Sequence, residues 1–374
     1  MEVTEVIDLM ALSAASYYSS AQATAMIKRV GSASRIIASH NNLKALIPDA
    51  GETMERIAEK AFNMRDRAAA EMEYCFRHNI KIIPIGSKDY PQRLSMSPEA
   101  PIVLFFKGNA DLNAGRILSI VGTRHSTAYG QDCVESLIRD LATKSPGITI
   151  ISGLAYGIDI IAHRAAINMS LPTIGILAHG LDTIYPDRHR REAEMMQENG
   201  GLLTEYLTHT DAEKINFLRR NRIVAGMSDA TIVVESAHHG GALVTARLSK
   251  ECGRRVLAFP GRVGDDTSEG CNELIRDGKA KLITNADDVM KALGWTQKEQ
   301  IVRKRMGIER SLFPDFTVEE QKLVDILSKK GDMHINDLAN ALEQTVGQIS
   351  LLLFSLEMKG AVRCLAGSMY HLIK

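Results

Sequence analysis

Four cations and one aromatic ring lie close together in the nine-residue stretch KINFLRRNR, in a chain whose formal net charge is zero. Cationic side chains pair with phosphates and an aromatic ring stacks on unpaired bases, so this combination is typical of single-stranded nucleic-acid sites. A charge run more often forms a solvated helix surface. Its position before the apolar strand Ala230–Glu235 favours a binding site, because parallel sheets bind ligands at such turns. The candidate residues are Lys214, Phe217, Arg219, Arg220, Asn221 and Arg222.

A second candidate site follows the short β-branched stretch Ile117–Val121, which is typical of a strand buried on both faces. Gly122 and Thr123 form the turn, and a helix is predicted from Ala128. The free N–H groups of such a strand, turn and helix bind anions, phosphate especially. Arg124 stands in the turn and would add a positive charge. An ordinary turn with a solvated arginine explains the pattern equally well.

Two further turns contain glycines that allow the backbone to approach a ligand closely. One follows the predicted strand Thr149–Ser152, and its N–H groups, with those of the first turn, are expected to complete an anion cradle. Asp159 in the same turn either caps the next helix or orients a basic neighbour such as Arg124. The other turn precedes the predicted helix Ala242–Cys252. The glycines are Gly153, Gly157, Gly240 and Gly241.

Motifs for other chemistry are absent from the sequence. It contains neither G-x-G-x-x-G at the first turn nor a G-x-x-x-x-G-K-[ST] loop, so we expect no nucleotide cofactor. The five cysteines lack C-x-x-C spacing, which indicates reduced thiols without a zinc site. His163 is expected to be a packed or hydrogen-bonded residue on its helix. The adjacent His238 and His239 are expected to point apart unless their loop is irregular, and no carboxylate or cysteine completes a metal set, so no metal site is predicted.

The chain divides into four predicted segments. Residues 1–75 form short amphipathic helices, a small all-α domain of the SAM or helix-hairpin-helix kind, with one longer helix over Glu52–Cys75. Residues 80–295 alternate strands with helices, which indicates an α/β fold with a mostly parallel sheet, and 80–107 supply extra edge strands. A polar linker over 296–315 leads to a winged-helix-like domain at 316–374, whose third helix carries only Lys359 as a cation.

Composition is that of a soluble globular protein, with 45% hydrophobic and 24% charged residues. The N-terminus is acidic and lacks the basic start of a signal peptide, and no apolar stretch is long enough to span a bilayer. We therefore expect a cytoplasmic protein without membrane contact.

Several motifs occur in order at compatible spacings, and together they resemble the DNA processing protein A (DprA/Smf) family. The resemblance is strong over 80–295 and looser over the flanking domains. The motifs are VGTR at 121–124, SGLAYGID at 152–159, AH at 162–163, GLDTIYP at 180–186, FLRRNRIVAG at 217–226, GALVTA at 241–246, FPG at 259–261 and GCNELIRDGKAKL at 270–282.

The resemblance implies an extended Rossmann fold that binds single-stranded DNA without catalysis. It also implies homodimers that protect incoming strands during natural transformation and load the RecA recombinase. The family's DNA pocket uses the arginine of the first motif, here Arg124, and the basic motif, here Phe217, Arg220, Asn221 and Arg222. Lys214 is expected to add a phosphate contact.

This chain departs from the family pattern at two places. Leu218 replaces a proline, which we expect to leave a more flexible loop, and 238–242 replace a Ser-Gly-Ser turn. Two alternatives stay open at this stage. The loop at 260–270, with Asp265, Asp266 and Glu269, weakly resembles a phosphoribohydrolase motif and would suit a Rossmann-like nucleotide-processing hydrolase. A protein-interaction scaffold would bind no DNA at all.

Overall fold

The computed structural model describes residues 2–97, 99–295 and 316–373. Contacts divide the chain into two compact units, Met1–Trp295 and Thr296–Lys374. The predicted linker at 296–315 lies outside the described residues.

The first unit is built on a nine-stranded, mostly parallel sheet with the order β1-β2-β6-β5-β4-β3-β7-β8-β9. β1 and β2 are antiparallel, and β2 joins β6 antiparallel, so 80–107 supply the predicted edge strands. Every other neighbouring pair is parallel. The strands are Lys81–Pro84 (β1), Val103–Gly108 (β2), Ile117–Val121 (β3), Thr149–Ser152 (β4), Thr173–Ile176 (β5), Gly200–Thr204 (β6), Ala230–Val233 (β7), Arg255–Ala258 (β8) and Lys281–Leu282 (β9).

Helices cover both faces of this sheet, which is why the central strands β3 to β7 are buried along their whole length. This is the predicted α/β, extended Rossmann-like arrangement. The helices between and after the strands are Gln92–Ser95 (α7), Ala128–Lys144 (α8), Ile158–Asn168 (α9), Arg190–Met196 (α10), Lys214–Gly226 (α11), Gly241–Glu251 (α12), Glu269–Arg276 (α13) and Ala286–Leu293 (α14), with a 3-10 turn at Asp187–His189. A second 3-10 turn, His40–Asn42, precedes the sheet.

Six helices precede the sheet, and the prediction of one helix over Glu52–Cys75 is wrong. The chain turns at Met64, whose N–H is shared between the carbonyls of Lys60 and Ala61. The turn brings Arg65 within 2.7 Å of the buried carboxylate of Asp8. The helices are Val3–Ala15 (α1), Ser20–Val30 (α2), Ala33–Ala38 (α3), Leu43–Leu46 (α4), Glu52–Asn63 (α5) and Arg65–Arg77 (α6).

The N-terminal helices share a hydrophobic core with the edge of the sheet. Val103 and Phe105 of β2 and Leu207 after β6 lie in the same cluster as the buried side chains of α1 to α6. The Tyr17 hydroxyl also accepts a hydrogen bond of 3.0 Å from the Leu207 N–H. Burial of this shared apolar surface holds the helices on β2.

The second unit contains three helices and a three-stranded antiparallel sheet with the order β10-β12-β11, the arrangement of a winged helix. Its own core is formed by leucines and isoleucine of the three helices, including Leu323, Leu338 and Ile349. The elements are Val318–Lys330 (α15), Met333–His334 (β10), Ile335–Leu342 (α16), Val346–Met358 (α17), Val362–Leu365 (β11) and Met369–Leu372 (β12).

Within the part of the chain that the structure describes, no helix has the length and apolar character needed to cross a bilayer.

Glu71 ties α6 to the loop after β6, and its removal should destabilise the first unit. Its carboxylate accepts hydrogen bonds from the Thr208 N–H at 3.0 Å, the Thr208 hydroxyl at 2.5 Å and Arg67 at 2.8 Å, and it is 2% exposed. Glu71→Ala should lower the free energy of unfolding by about 2–4 kcal/mol, because buried partners lose a charged acceptor. Urea denaturation measures this. Glu73→Ala, on the exposed side of the same helix, is the control, and equal losses in both variants would contradict the assignment.

Glu320 makes the stability of the second unit depend on acid pH. The hydrogen bond from Lys359, followed by those from the Thr317 N–H and the Ser355 hydroxyl, lowers its pKa from 4.5 to about 2. A lowered pKa stabilises the fold above pH 4.5, and this contribution is lost as the pH falls toward 2. Thermal unfolding of residues 316–374 should therefore show a midpoint that falls over this range. The fall should be smaller in Glu320→Gln and unchanged in the exposed Glu319→Gln; equal pH dependence in all three proteins would contradict this account.

Candidate nucleic-acid interface

The basic stretch is the first two turns of helix α11, so the prediction of a flexible loop around Leu218 is wrong. Leucine keeps the backbone N–H that proline lacks and has a high helix propensity, so the helix continues through this position. Lys214 is the first helical residue. A cation at this position destabilises the helix, because it lies at the positive end of the macrodipole. The same two positive charges, that of Lys214 and that of the helix end, together attract an anion.

Helical spacing divides the predicted residues between two faces. One face lines a cavity and holds residues at positions i, i+3, i+4 and i+7 of the helix, which are Lys214, Phe217, Leu218 and Asn221. Arg219 and Arg222, three positions apart, point elsewhere. Arg219 lies over the ring of Tyr18 at 4.8 Å, and Arg222 is 4% exposed and donates to Glu205 at 2.7 Å.

Arg220 is a buried cation in the floor of this cavity, 4% exposed. Its Nη1 donates to the Gly153 carbonyl at 2.6 Å and also to the Ile176 carbonyl, at the ends of β4 and β5. Gly153 leaves the space that the guanidinium fills, because a Cβ at that position would overlap it. The missing side chain of Gly153 therefore makes room for the Arg220 guanidinium, and the close approach of a ligand to this glycine stays a prediction.

Asp159 supplies the countercharge for Arg220, so its basic neighbour is Arg220 rather than the Arg124 named as an example, while the N-cap residue of α9 is Gly157. Its carboxylate accepts the Gly153 N–H at 3.1 Å. Burial raises the pKa of Asp159 and lowers that of Arg220, while the opposite charge of each opposes the shift of the other. The two buried charges therefore depend on each other, and Arg124 is left free to face solvent.

Phe217 lies close to two guanidinium groups. The Arg124 guanidinium carbon is 5.4 Å from the ring centroid and that of Arg220 is 5.9 Å from it. Tyr185 packs at 59° with its centroid 5.7 Å away. Arg124 is exposed, so one cation of this group is accessible to a ligand.

The predicted anion cradle at the first turn is occupied by the protein's own Glu235. Its carboxylate accepts from the Thr127 N–H at 2.9 Å and the Thr127 hydroxyl at 2.5 Å, at the start of α8. The Thr123 N–H donates to the Glu235 carbonyl at 2.8 Å. Because β7 lies beside β3, Glu235 in the segment after β7 reaches the N-terminus of α8. The Gly153 N–H, which belongs to the same predicted cradle, already donates to the Asp159 carboxylate. A bound anion would therefore be held chiefly by side chains.

These groups line an open cavity of about 600 Å³, which we call the Phe217 cavity. The sequence-predicted residues that it brings together are Gly122, Thr123, Arg124, Asp159, Lys214, Phe217, Arg220, Asn221, Gly240 and Gly241. Gly157 lines a neighbouring cavity instead.

Other residues singled out by the sequence lie outside the Phe217 cavity. His238 and His239 lie in an irregular loop, the excepted case, and their ring centroids are 4.3 Å apart. Among the described residues, no group of three possible metal ligands occurs. His163 is packed as predicted: its Nδ1 is 2.7 Å from the Thr173 hydroxyl, and burial lowers its pKa to about 3. Asp265 and Glu269 of the hydrolase-like loop are exposed to solvent, and neither lines the Phe217 cavity.

Two important side chains were missed by the sequence reasoning. Tyr185 belongs to the GLDTIYP motif, and an aromatic residue in a turn after a strand was a usable signal. Glu235 gave no such signal, because its role depends on which strand lies beside β3.

The fit of Arg220 against Gly153 can be tested by stability. Gly153→Ala should displace the buried guanidinium and lower the free energy of unfolding by about 1–3 kcal/mol. Gly241→Ala is the control, because among the described residues nothing lies within 4 Å of a Cβ built there, so it should be close to neutral. Urea denaturation of both variants measures the difference, and a neutral Gly153→Ala would show that the guanidinium does not need this space.

Comparison with known proteins supports the resemblance found in the sequence. The family model described as DNA recombination-mediator protein A matches residues 81–294. Protein Smf of Escherichia coli (strain K12) is 33% identical over 316 residues, which are 82% of this chain and 82% of that protein. DNA processing protein DprA of Bacillus subtilis (strain 168) is 41% identical over 215 residues, 57% of this chain and 71% of that protein.

Two solved structures share the fold. DNA processing protein A of Streptococcus pneumoniae aligns with a TM-score of 0.59 at 30% identity, covering 72% of this chain and 97% of that one. DNA processing protein A of Helicobacter pylori, described for its single-stranded DNA binding mode, aligns with a TM-score of 0.52 at 29% identity, covering 58% and 96%. The family model spans more than half of the chain, and five of the ordered motifs, at 121–124, 152–159, 180–186, 217–226 and 241–246, contribute residues to the Phe217 cavity; the chain belongs to the DNA processing protein A (DprA/Smf) family.

Proposed function

We propose that the Phe217 cavity binds single-stranded DNA and that the protein acts there by binding, without catalysis. The observation that carries this proposal is the closeness of the Phe217 ring to two guanidinium groups, that of Arg124 at 5.4 Å and that of Arg220 at 5.9 Å. A ring backed by cations offers a stacking surface beside positive charge, which is what an unpaired base and its phosphate require.

The charges that reach phosphates in this proposal are Arg124 and Lys214, both exposed at the rim of the cavity. The positive end of the α11 macrodipole strengthens the field at Lys214. Arg220 is held by two carbonyls, so it contributes positive charge from the floor and positions Phe217, rather than making a free phosphate contact. Gly240 and Gly241 at the opposite rim leave the backbone accessible to a strand.

The relatives support the same substrate. The names of the Bacillus and Streptococcus proteins describe DNA processing, and the Helicobacter structure is described by its single-stranded DNA binding mode. We extend this to the finer role that the family resemblance implies. In that role a homodimer in the cytoplasm protects incoming single strands during natural transformation and helps to load RecA on them.

Removal of either rim cation should weaken binding. Arg124→Ala and Lys214→Ala should each cost about 1–3 kcal/mol of binding free energy to oligo-dT, because each loses a charge-assisted phosphate contact. Each loss should also make the slope of log affinity against log salt shallower by about 0.7. Fluorescence anisotropy of a labelled oligo-dT across a salt series measures both quantities.

The control is Arg56→Ala, which removes an exposed cation from α5, away from the cavity lining. It should leave affinity and slope unchanged. Wild-type affinity in both Arg124→Ala and Lys214→Ala would contradict the assignment of this cavity to DNA, and equal weakening in Arg56→Ala would show general charge attraction instead.

A further inference from the structure

A second cavity of about 660 Å³ opens on the other side of the turn that carries Arg124. Arg124 and His125 line both cavities. The volume lies within the range of small-molecule sites. We call it the Tyr156 cavity, after the aromatic side chain in its wall.

Tyr156 presents an exposed ring to solvent, and the function described above makes no use of it. The side chain is 42% exposed. Its ring packs edge-on against His189, with centroids 5.1 Å apart at 70°. His189 is buried and its Nδ1 lies 2.9 Å from the Leu154 carbonyl, so it gives Tyr156 a fixed support. A supported, half-open ring is the kind of surface on which an unpaired base stacks.

The rest of the wall combines apolar surface with a cation. Ile160 and Ile161 come from the first turns of α9, and Arg164 follows one turn after Ile160. Arg164 pairs with Glu192 at 2.8 Å, yet 53% of its side chain stays exposed. Glu135 of α8 also lines the cavity, so Glu135 and Glu192 together offset the charge of Arg164.

The two cavities meet at a contact between backbones. Gly157 has φ of 72°, and a Cβ there would overlap the backbone of Thr123 and Arg124. The next N–H, that of Ile158, donates to the Thr123 carbonyl at 3.1 Å. This contact holds the Arg124 turn against the start of α9, so the boundary that a strand must cross between the cavities is fixed in position.

We propose that the Tyr156 cavity is a second base-binding subsite, in which a strand that leaves Phe217 passes Arg124 and stacks a further base on Tyr156. Stacking is the main contribution, because the charges of Glu135 and Glu192 offset that of Arg164. The subsite rests on the proposed function of the Phe217 cavity, and it adds a prediction about strand length: a short strand fills the first cavity only, while a longer one uses both.

The experiment compares a five-nucleotide and a fifteen-nucleotide labelled oligo-dT by fluorescence anisotropy at low salt, where affinity is highest. Tyr156→Ala should weaken binding of the longer strand about fivefold to tenfold, the loss expected for one stacked base. It should leave the shorter strand unaffected and the salt slope unchanged. Tyr156→Phe keeps the ring and should bind as the wild type does. Phe76→Ala removes an aromatic that is 85% exposed and lines neither cavity, and it serves as the control.

The outcomes separate the subsite from the proposed function. Wild-type affinity of Tyr156→Ala for the longer strand, or equal weakening for both strands, would overturn the second subsite while leaving the Phe217 cavity as a DNA site. Loss of binding in Tyr156→Phe would overturn stacking as its mechanism. Failure of the folded wild-type protein to bind either strand would overturn the proposed function itself.

Discussion

The candidate site depends on one buried cation. The guanidinium of Arg220 is almost completely removed from water, and it donates hydrogen bonds to the carbonyls at the ends of two neighbouring strands. Burial of an unpaired charge is very unfavourable, so the nearby carboxylate of Asp159 is needed to balance it. This arrangement ties α11 to β4, β5 and α9. Phe217, one helical turn before Arg220, is thereby held at the cavity with its ring close to two cations.

A second internal charge decides how the cavity can hold an anion. In many α/β folds the N-terminus of the first helix is open to a phosphate. Here Glu235 occupies that position at the start of α8. Positive charge is presented instead by side chains on two separate elements, Arg124 in the turn after β3 and Lys214 at the start of α11. Contacts from separate, exposed side chains suit an extended polymer, whose phosphates are spaced along a strand.

The elements of this fold were largely predictable from the sequence because each is locally determined. Buried parallel strands appear as short β-branched stretches such as Ile117–Val121, and glycine-containing turns separate them from amphipathic helices. The division at Met64 was not predictable in this way, since it depends on Arg65 meeting Asp8, 57 positions earlier in the chain.

The candidate site was predictable in composition but not in arrangement. Arg124 and Phe217 were identified from residue type and position, and the structure places them together. A solvated helix surface is weighed against a binding site for the basic stretch, but helical spacing is not applied to it. That spacing would have separated Lys214, Phe217 and Asn221 from Arg219 and Arg222. The roles of Gly153 and Glu235 could not be read locally, because both depend on side chains that arrive from distant strands and helices.

The most direct test of the central claim is fluorescence anisotropy of a labelled oligo-dT with the wild-type protein, with duplex DNA of equal length as competitor. Bases in a duplex are paired and stacked on one another, so they cannot stack on Phe217. The account predicts saturable, salt-sensitive binding that the duplex fails to displace. Displacement by duplex as efficient as by unlabelled single strand, or an absence of saturable binding, would contradict it.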